Sequence, residues 1–427
     1  MENYAIVIFI LAVMIGLSAV ADRIKIPYPI LLIIAGIAVG FVPSLSSIDI
    51  NPEIIFLIFL PPLLYDAAFN ISFKEFKTNI NTIFTLAITL VFITAIGIAV
   101  VAHYMIPGMS WPVSFVLGAI LSATDAVAAM SITKGLGLSH KTNTILEGES
   151  LVNDASALVA YRFAVAAVTG TAFVFWKASL EFAILMAGGF LIGMVTSKIL
   201  AFIINRIHSN RLATISLMLL MPFVTYLIAE QVHVSGVIAV VILGLGISRF
   251  SNNVFPEQLK NQSKNIWDII IFLLNGLIFI LIGLQFPYVY KNINSGDILL
   301  YIGYSLVITI VALLLRIARV FLQKFNLQKA FQKGKHRITE DALLDFKNSL
   351  IISWSGMRGI VSLAIAIGLP ATLSDGSAFP QRNAIIFISV VVVLFTLIGQ
   401  GLTLPWLVKK LATEEDKGQT LIVSGDH

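Results

Sequence analysis

The sequence predicts an all-α polytopic membrane protein with about thirteen transmembrane helices, and three observations predict it. The 427 residues are 58% hydrophobic and only 12% charged, where a soluble domain carries about 25% charged residues. Apolar runs recur from end to end, many of them near the ~20 residues that cross a bilayer core. Lys and Arg gather in alternate loops between those runs.

The first run, 4–20, has no basic stretch before it, which predicts a first span rather than a removed signal peptide. The second, 27–43, is short and bounded by Pro and Gly, which predicts a tilted or half-buried helix. The third, 53–70, contains Pro61 and Pro62, with Asp66 after them. The fourth, 79–106, carries no Asp, Glu, Lys or Arg. The fifth, 112–133, carries Ser122-Ala-Thr-Asp125 in its middle. The sixth, 144–169, holds Glu147, Glu149, Ser150, Asn153 and Asp154. The next are 179–203, 211–230, 235–249 and 265–286; in the last, Asn275 and Gln285 are expected to bond between helices. Glu230, His233 and His103 fall near span ends and are expected at the interface. After 297–323 comes a polar linker, 324–345. The spans 345–370, with Arg358 inside it, and 382–411 follow. The transmembrane region is therefore 1–412, with a short polar tail over 413–427.

Apart from Arg162 and Arg358 inside spans, every Lys and Arg except Lys177, Lys291 and Arg382 lies on one set of alternate loops, including the basic segment Arg316 to Lys347. The positive-inside rule makes that set cytoplasmic, with the N-terminus outside and the tail inside. A net charge of +5 does not imply nucleic acid, because these charges sit in short loops. Cysteine is absent, which excludes disulfides and thiolate metal sites. The six His are scattered without zinc-type spacing.

An ionisable group at the centre of a transmembrane helix costs about 2.5–3.5 kcal/mol on insertion scales, so the acids of the sixth span point to a site for a small cation or a proton. Ser150 and Asp154 are i,i+4 and share a helix face, as Ser150 and Asn153 do at i,i+3. Glu149 is about 100° round the helix, placed to meet another helix, and Arg358 is its expected ion-pair partner. Glu147, nearer the helix start, is expected to be a charge at a helix N-terminus. Asp66 has two readings, a further ion ligand or a cap near Lys74. Asp125 and Arg358 each sit beside small residues in mid-span, seven spans apart. That odd offset is the mark of inverted repeats with broken helices, whose exposed backbone ends the two charges neutralise.

Phe59-Leu-Pro-Pro-Leu-Leu-Tyr-Asp66, Ser122-Ala-Thr-Asp125, Glu147-Gly-Glu-Ser-Leu-Val-Asn-Asp154 and Gly356-Met-Arg-Gly359 together resemble the monovalent cation/proton antiporter superfamily. The closer likeness is to its sodium/proton exchanger and NhaP-type branch. The resemblance implies a core domain, with spans near 53–70, 79–106, 112–133 and 144–169 and the later 265–370 region apart from its linker. The remaining spans would form a dimerisation domain, making a homodimer in the cell membrane. It implies Asp154 as the carboxylate loaded in turn with cation and proton. Ser150, Asp66 and the backbone of Thr124 would join it as Na⁺ ligands. It also implies Asp125, Glu149 and Arg358 as structural charges. Asn153 stands where the electrogenic branch has Asp, which implies electroneutral exchange. Ala126 departs from the family, where Pro is frequent, and Asp66 is shorter than the Glu of archaeal members.

The resemblance implies no cofactor and no enzymatic activity; the substrates would be Na⁺ and H⁺. A carboxylate out of water holds its proton more tightly, and a cation beside it favours the ionised form, so the two compete. Alternatives are a K⁺/H⁺ antiporter of the same fold and, from other classes, an intramembrane protease or a cation channel. Tyr65-Asp66 has no Gly-x-Gly-Asp partner, Gly148-Glu-Ser-Leu-Val152 lacks the closing Gly of a nucleophile elbow, and no filter-like repeat is present.

Overall fold

The computed structural model describes residues 2–24, 27–41, 52–133, 136–170, 175–207, 210–291, 293, 296–333, 339–373 and 376–411. The tail over 413–427 and the side chain of Gln285 lie outside what is described. The chain begins with α1 (Glu2–Ile24), α2 (Tyr28–Gly40), α3 (Pro52–Asn70) and a short surface helix, α4 (Phe73–Thr78). Next, α5 (Ile80–Phe84) runs through a π-helical stretch, Thr85–Leu90, into α6 (Val91–Met105). A broken span follows, α7 (Trp111–Ile120) and α8 (Ala126–Thr133). Five long helices come after it: α9 (His140–Val168), α10 (Phe175–Ile207), α11 (Arg211–Gln231), α12 (Gly236–Val254) and α13 (Glu257–Lys291). Then α14 (Ile298–Gln332) precedes a second broken span, α15 (Phe346–Trp354) and α16 (Ile360–Ile367). Finally α17 (Arg382–Phe395) passes through a second π stretch, Thr396–Gln400, into α18 (Gly401–Leu411).

Seven helices, counted through their π stretches, are long and apolar enough to cross a membrane among the described residues. Shorter apolar stretches in α1, α2, α3 and α12, with the two broken spans, complete the thirteen expected crossings. No strand occurs among the described residues, and Thr372 and Ala378 form an isolated bridge. Leu, Ile and Phe side chains stand exposed along α10 and α14, as surfaces facing lipid do.

Packing sets the site between groups of helices. Helix α12 lies against α10, α11 and α3, and α13 lies along α2. Gly36 and Gly283 let α2 and α13 touch backbone to backbone; a Cβ on Gly36 would fall on the Ile280 carbonyl. Helix α9 is central, touching α3, α7, α8, α12 and α15. Its first turn is capped by Ser139, whose Oγ accepts from the Thr142 backbone N–H at 3.2 Å. At this end Lys141 donates to the carbonyls of Asp341 and Leu343, and Thr142 Oγ1 donates to Asn348 Oδ1 at 2.7 Å. The start of α9 is thus tied to the approach of α15.

Among the expected boundaries that move, two bear on the site. The polar linker 324–345 is helical over its first part, because α14 continues to Gln332. Leu327 is buried there, and Lys324 lies over the Phe321 and Phe346 rings at 5.9 and 5.4 Å. The sixth span begins at His140 instead of 144, since the Ser139 cap starts the helix within a polar stretch.

Candidate ion-binding site

The two broken spans cross at their breaks. The backbone N–H of Asp125 donates to the Met357 carbonyl at 2.8 Å, and Ser362 Oγ donates to the Ala123 carbonyl at 3.5 Å. Gly359 is required at this contact, because a Cβ there would fall inside the Asp125 carboxylate. Each break carries its own compensation for the helix ends it exposes. Asp125 Oδ1 accepts from the Ala128 N–H at 3.2 Å, capping α8. The Arg358 guanidinium donates from Nη1 to the Gly356 carbonyl at 2.8 Å, just past the end of α15. The Arg358 N–H is taken by Thr396 Oγ1 at 3.0 Å, and Thr396 is presented by the second π stretch.

Helix α9 supports the first break from one side. Asn153 Nδ2 donates to Thr124 Oγ1 at 2.5 Å and to the Thr124 carbonyl at 3.2 Å. Ser150 Oγ donates to the same carbonyl at 3.3 Å. Thr124 Oγ1 in turn donates to Glu149 Oε1 at 2.9 Å.

The expected Glu149–Arg358 ion pair is not formed. Glu149 pairs with Arg316 of α14 in a two-pronged contact, Nη1 to Oε1 at 2.5 Å and Nη2 to Oε2 at 2.8 Å. Both side chains are 2% exposed, and Arg316 Nε also donates to the Ile352 carbonyl at 3.0 Å. The place of Arg316 at the head of the basic segment Arg316 to Lys347 predicts a cytoplasmic position. Arg316 instead lies midway along α14, within the expected span 297–323, where only a paired charge is tolerable. Arg358 is left to its own break.

Beside the crossing lies a cavity of about 610 Å³. It extends from His140, whose side chain is 85% exposed, to Asp154, which is 7% exposed. Asp66, Asp125, Glu147, Asp154 and Asp268 line it, and neither Lys nor Arg does. Thr124 and Ser150 line it as well. The Asp154 carboxylate takes no hydrogen bond from any described residue. Asp66 lines the cavity and accepts from Asn70 Nδ2 at 2.9 Å, at the end of α3. Such a lining concentrates cations and repels anions.

Of the residues singled out in the sequence, the cavity brings together Asp154, Ser150, Asp66, Thr124 and Asp125. Asn153 and Glu149 are not on it; they lie behind Thr124, fully or nearly buried. Glu147, expected at a helix N-terminus, is two turns inside α9 and lines the cavity, because α9 starts earlier than the hydropathy suggested. Asp268 was missed. It precedes the most apolar part of α13, where an acid resembles an ordinary helix-end charge. Asn275, expected to bond between helices, has no hydrogen-bond partner among the described residues and faces the cavity. The pattern 268, 271, 272, 275 on one helical face was the signal available.

Two broken helices crossing in mid-membrane beside a cavity open at one end define a secondary transporter architecture. The profile of the family described as "Sodium/hydrogen exchanger, transmembrane" matches residues 8–410, and the chain belongs to that family. A "Sodium, potassium, lithium and rubidium/H(+) antiporter" of Bacillus pumilus (strain SAFR-032) is 37% identical over 96% of this chain. The chain spans 62% of that relative's length. The "Na(+)/H(+) antiporter ApNhaP" of Aphanothece halophytica is 33% identical, with 98% of this chain and 77% of the relative covered. The solved structure of the sodium proton antiporter MjNhaP1 from Methanocaldococcus jannaschii superposes with a TM-score of 0.69 at 21% identity. That match covers 96% of this chain and 99% of the other, a likeness of fold.

Proposed function

We propose that the protein is an electroneutral sodium/proton antiporter working by alternating access, with Asp154 as the shared carrier. The observation that carries this reading is the Asp154 carboxylate, nine-tenths buried, turned to an acidic cavity and free of hydrogen bonds from described residues. A carboxylate so placed is neutral when protonated and balanced when a monovalent cation sits on it. Ser150 and the Thr124 carbonyl, which touch each other at 3.3 Å, lie on the same cavity and supply neutral oxygens of the kind hard cations prefer. Asp66 completes the set from α3. Asp125 and Arg358 neutralise the broken helix ends, and the Glu149–Arg316 pair fixes α9 against α14.

Proton and cation then compete for one acid. The moving part carries the same net charge in both directions, COOH one way and COO⁻·Na⁺ the other. Asn153 serves this scheme as a neutral donor to Thr124; an ionised Asp in its place has no hydrogen to donate. The loop charges make the open end of the cavity cytoplasmic, so this conformation is inward-open in a cell membrane, and a homodimer is the expected assembly. No cofactor takes part. Transport of K⁺ remains a second reading, favoured by the cations in the name of the Bacillus pumilus relative.

The test is proton movement in proteoliposomes driven by a Na⁺ gradient. Asp154→Asn, which keeps shape and removes the titrating group, is expected to abolish it. Wild-type rates in that variant would end the assignment of Asp154 as carrier.

A further inference from the structure

We propose that Asn275 of α13 is a specificity-determining residue, supplying a neutral amide oxygen to the monovalent cation within the cavity. The inference rests on the antiport reading above and extends it to the choice of cation. Asn275 is 5% exposed. Buried side-chain amides almost always find a partner inside the protein, yet this one has none among the described residues and opens onto the cavity. Its neighbours on that wall, Ile271, Phe272, Ile278 and Phe279, are apolar. Its polar group is the one on that stretch of wall, and it is turned to the cavity rather than to a described partner.

Chemistry assigns it a task that a distant carboxylate does not perform. The carboxylates of Glu147 and Asp268, outside the proposed ligand set, attract every cation alike, because their field acts at a distance. Discrimination comes from the number and field strength of the oxygens that replace an ion's water. Ser150 and Thr124 supply such oxygens from the side of the broken helix, and Asn275 supplies one from a different wall. Since an amide does not titrate, it adds a ligand without adding a charge. The exchange of one proton for one cation is therefore undisturbed.

The experiment compares wild type and Asn275→Ala, purified as the full chain in proteoliposomes, with Na⁺, Li⁺ and K⁺ titrated separately. Expected is a rise of about fivefold in the half-saturating Na⁺ concentration, the loss of one neutral polar contact. The order or ratio of the three cations should change, with maximal rate and thermal stability near wild type. Asp268→Asn should instead raise half-saturation for all three cations together. Unchanged half-saturation and unchanged cation ratios in Asn275→Ala would overturn the proposal. So would a uniform fall in maximal rate with lowered thermal stability and unaltered ratios, the mark of a structural role. If Asn275→Ala is not recovered folded, the near-isosteric Asn275→Asp takes its place, and unaltered ratios there overturn the proposal equally. Cation-independent proton movement in the wild type would refute the antiport reading instead.

Discussion

Glu149 and Arg316 show how much a single pair of side chains can constrain a membrane protein. Each is 2% exposed, and each is further bonded, to Thr124 and to the Ile352 carbonyl. Removing one partner leaves the other buried and unbalanced, at a cost of about 3–5 kcal/mol. Arg316→Met is therefore expected to lower the unfolding temperature in detergent strongly, and Glu149→Gln in the same chain should recover part of the loss. An additive double variant would show that the two charges are not coupled. The sequence pointed to a buried partner for Glu149 but not to the right one. Arg316 stands close to Arg319 and Lys324 in the chain, so a tally of loop charges absorbed it. Which arginine meets Glu149 depends on helix rotation and depth, which no local pattern encodes. By contrast Asp154, Ser150, Asp66 and Asp125 stand out in the sequence as polar groups in apolar runs, which announce themselves through their cost; Thr124 is named through the family resemblance alone.

At the scale of elements, the breaks matter more than the helices around them. Leu121 to Asp125 and Ser355 to Gly359 pass each other closely enough that only hydrogen fits at Gly359. Gly359→Ala forces overpacking against Asp125, for which about 1–3 kcal/mol is usual, and disturbs the cap of α8. Reduced transport together with reduced thermal stability is expected. Gly303→Ala, where a Cβ meets nothing within 4 Å, should leave both unchanged or slightly improved. If the two variants behave alike, the crossing is looser than described. The broken spans and the crossing count followed from composition and small-residue clusters. The start of α9 and the end of α14 did not, because a capped or amphipathic turn is polar enough to resemble a loop. The π stretches at Thr85–Leu90 and Thr396–Gln400 left no trace in hydropathy, yet one of them delivers Thr396 to the Arg358 N–H. Such stretches are frequent at functional sites.

For the whole molecule, the proposed cycle makes a statement about membrane potential. If one acid exchanges one proton for one monovalent cation, no net charge crosses, and a potential has nothing to act on. Clamping the potential with valinomycin and K⁺ across a series of values should leave the initial rate of Na⁺-driven proton movement constant. A field acting on one net charge would contribute about 2.3 kcal/mol per 100 mV, so a rate that changes steeply with potential would reject one-for-one exchange.

The acidic lining of the cavity has a consequence for occupancy. At about 0.15 M salt one cation has on the order of 10⁴ Å³ of solution to itself, whereas the cavity measures about 610 Å³. A neutral hollow of that size would contain a cation only about one-twentieth of the time at that salt concentration. Where its carboxylates are ionised, a wall bearing five of them and neither Lys nor Arg acts as a bead of ion-exchange resin does, excluding co-ions and drawing counter-ions above their bulk concentration. On the proposed reading of Asp154 as carrier, such a hollow would be kept stocked, and the acid would meet its next cation without waiting for one to diffuse in from dilute solution.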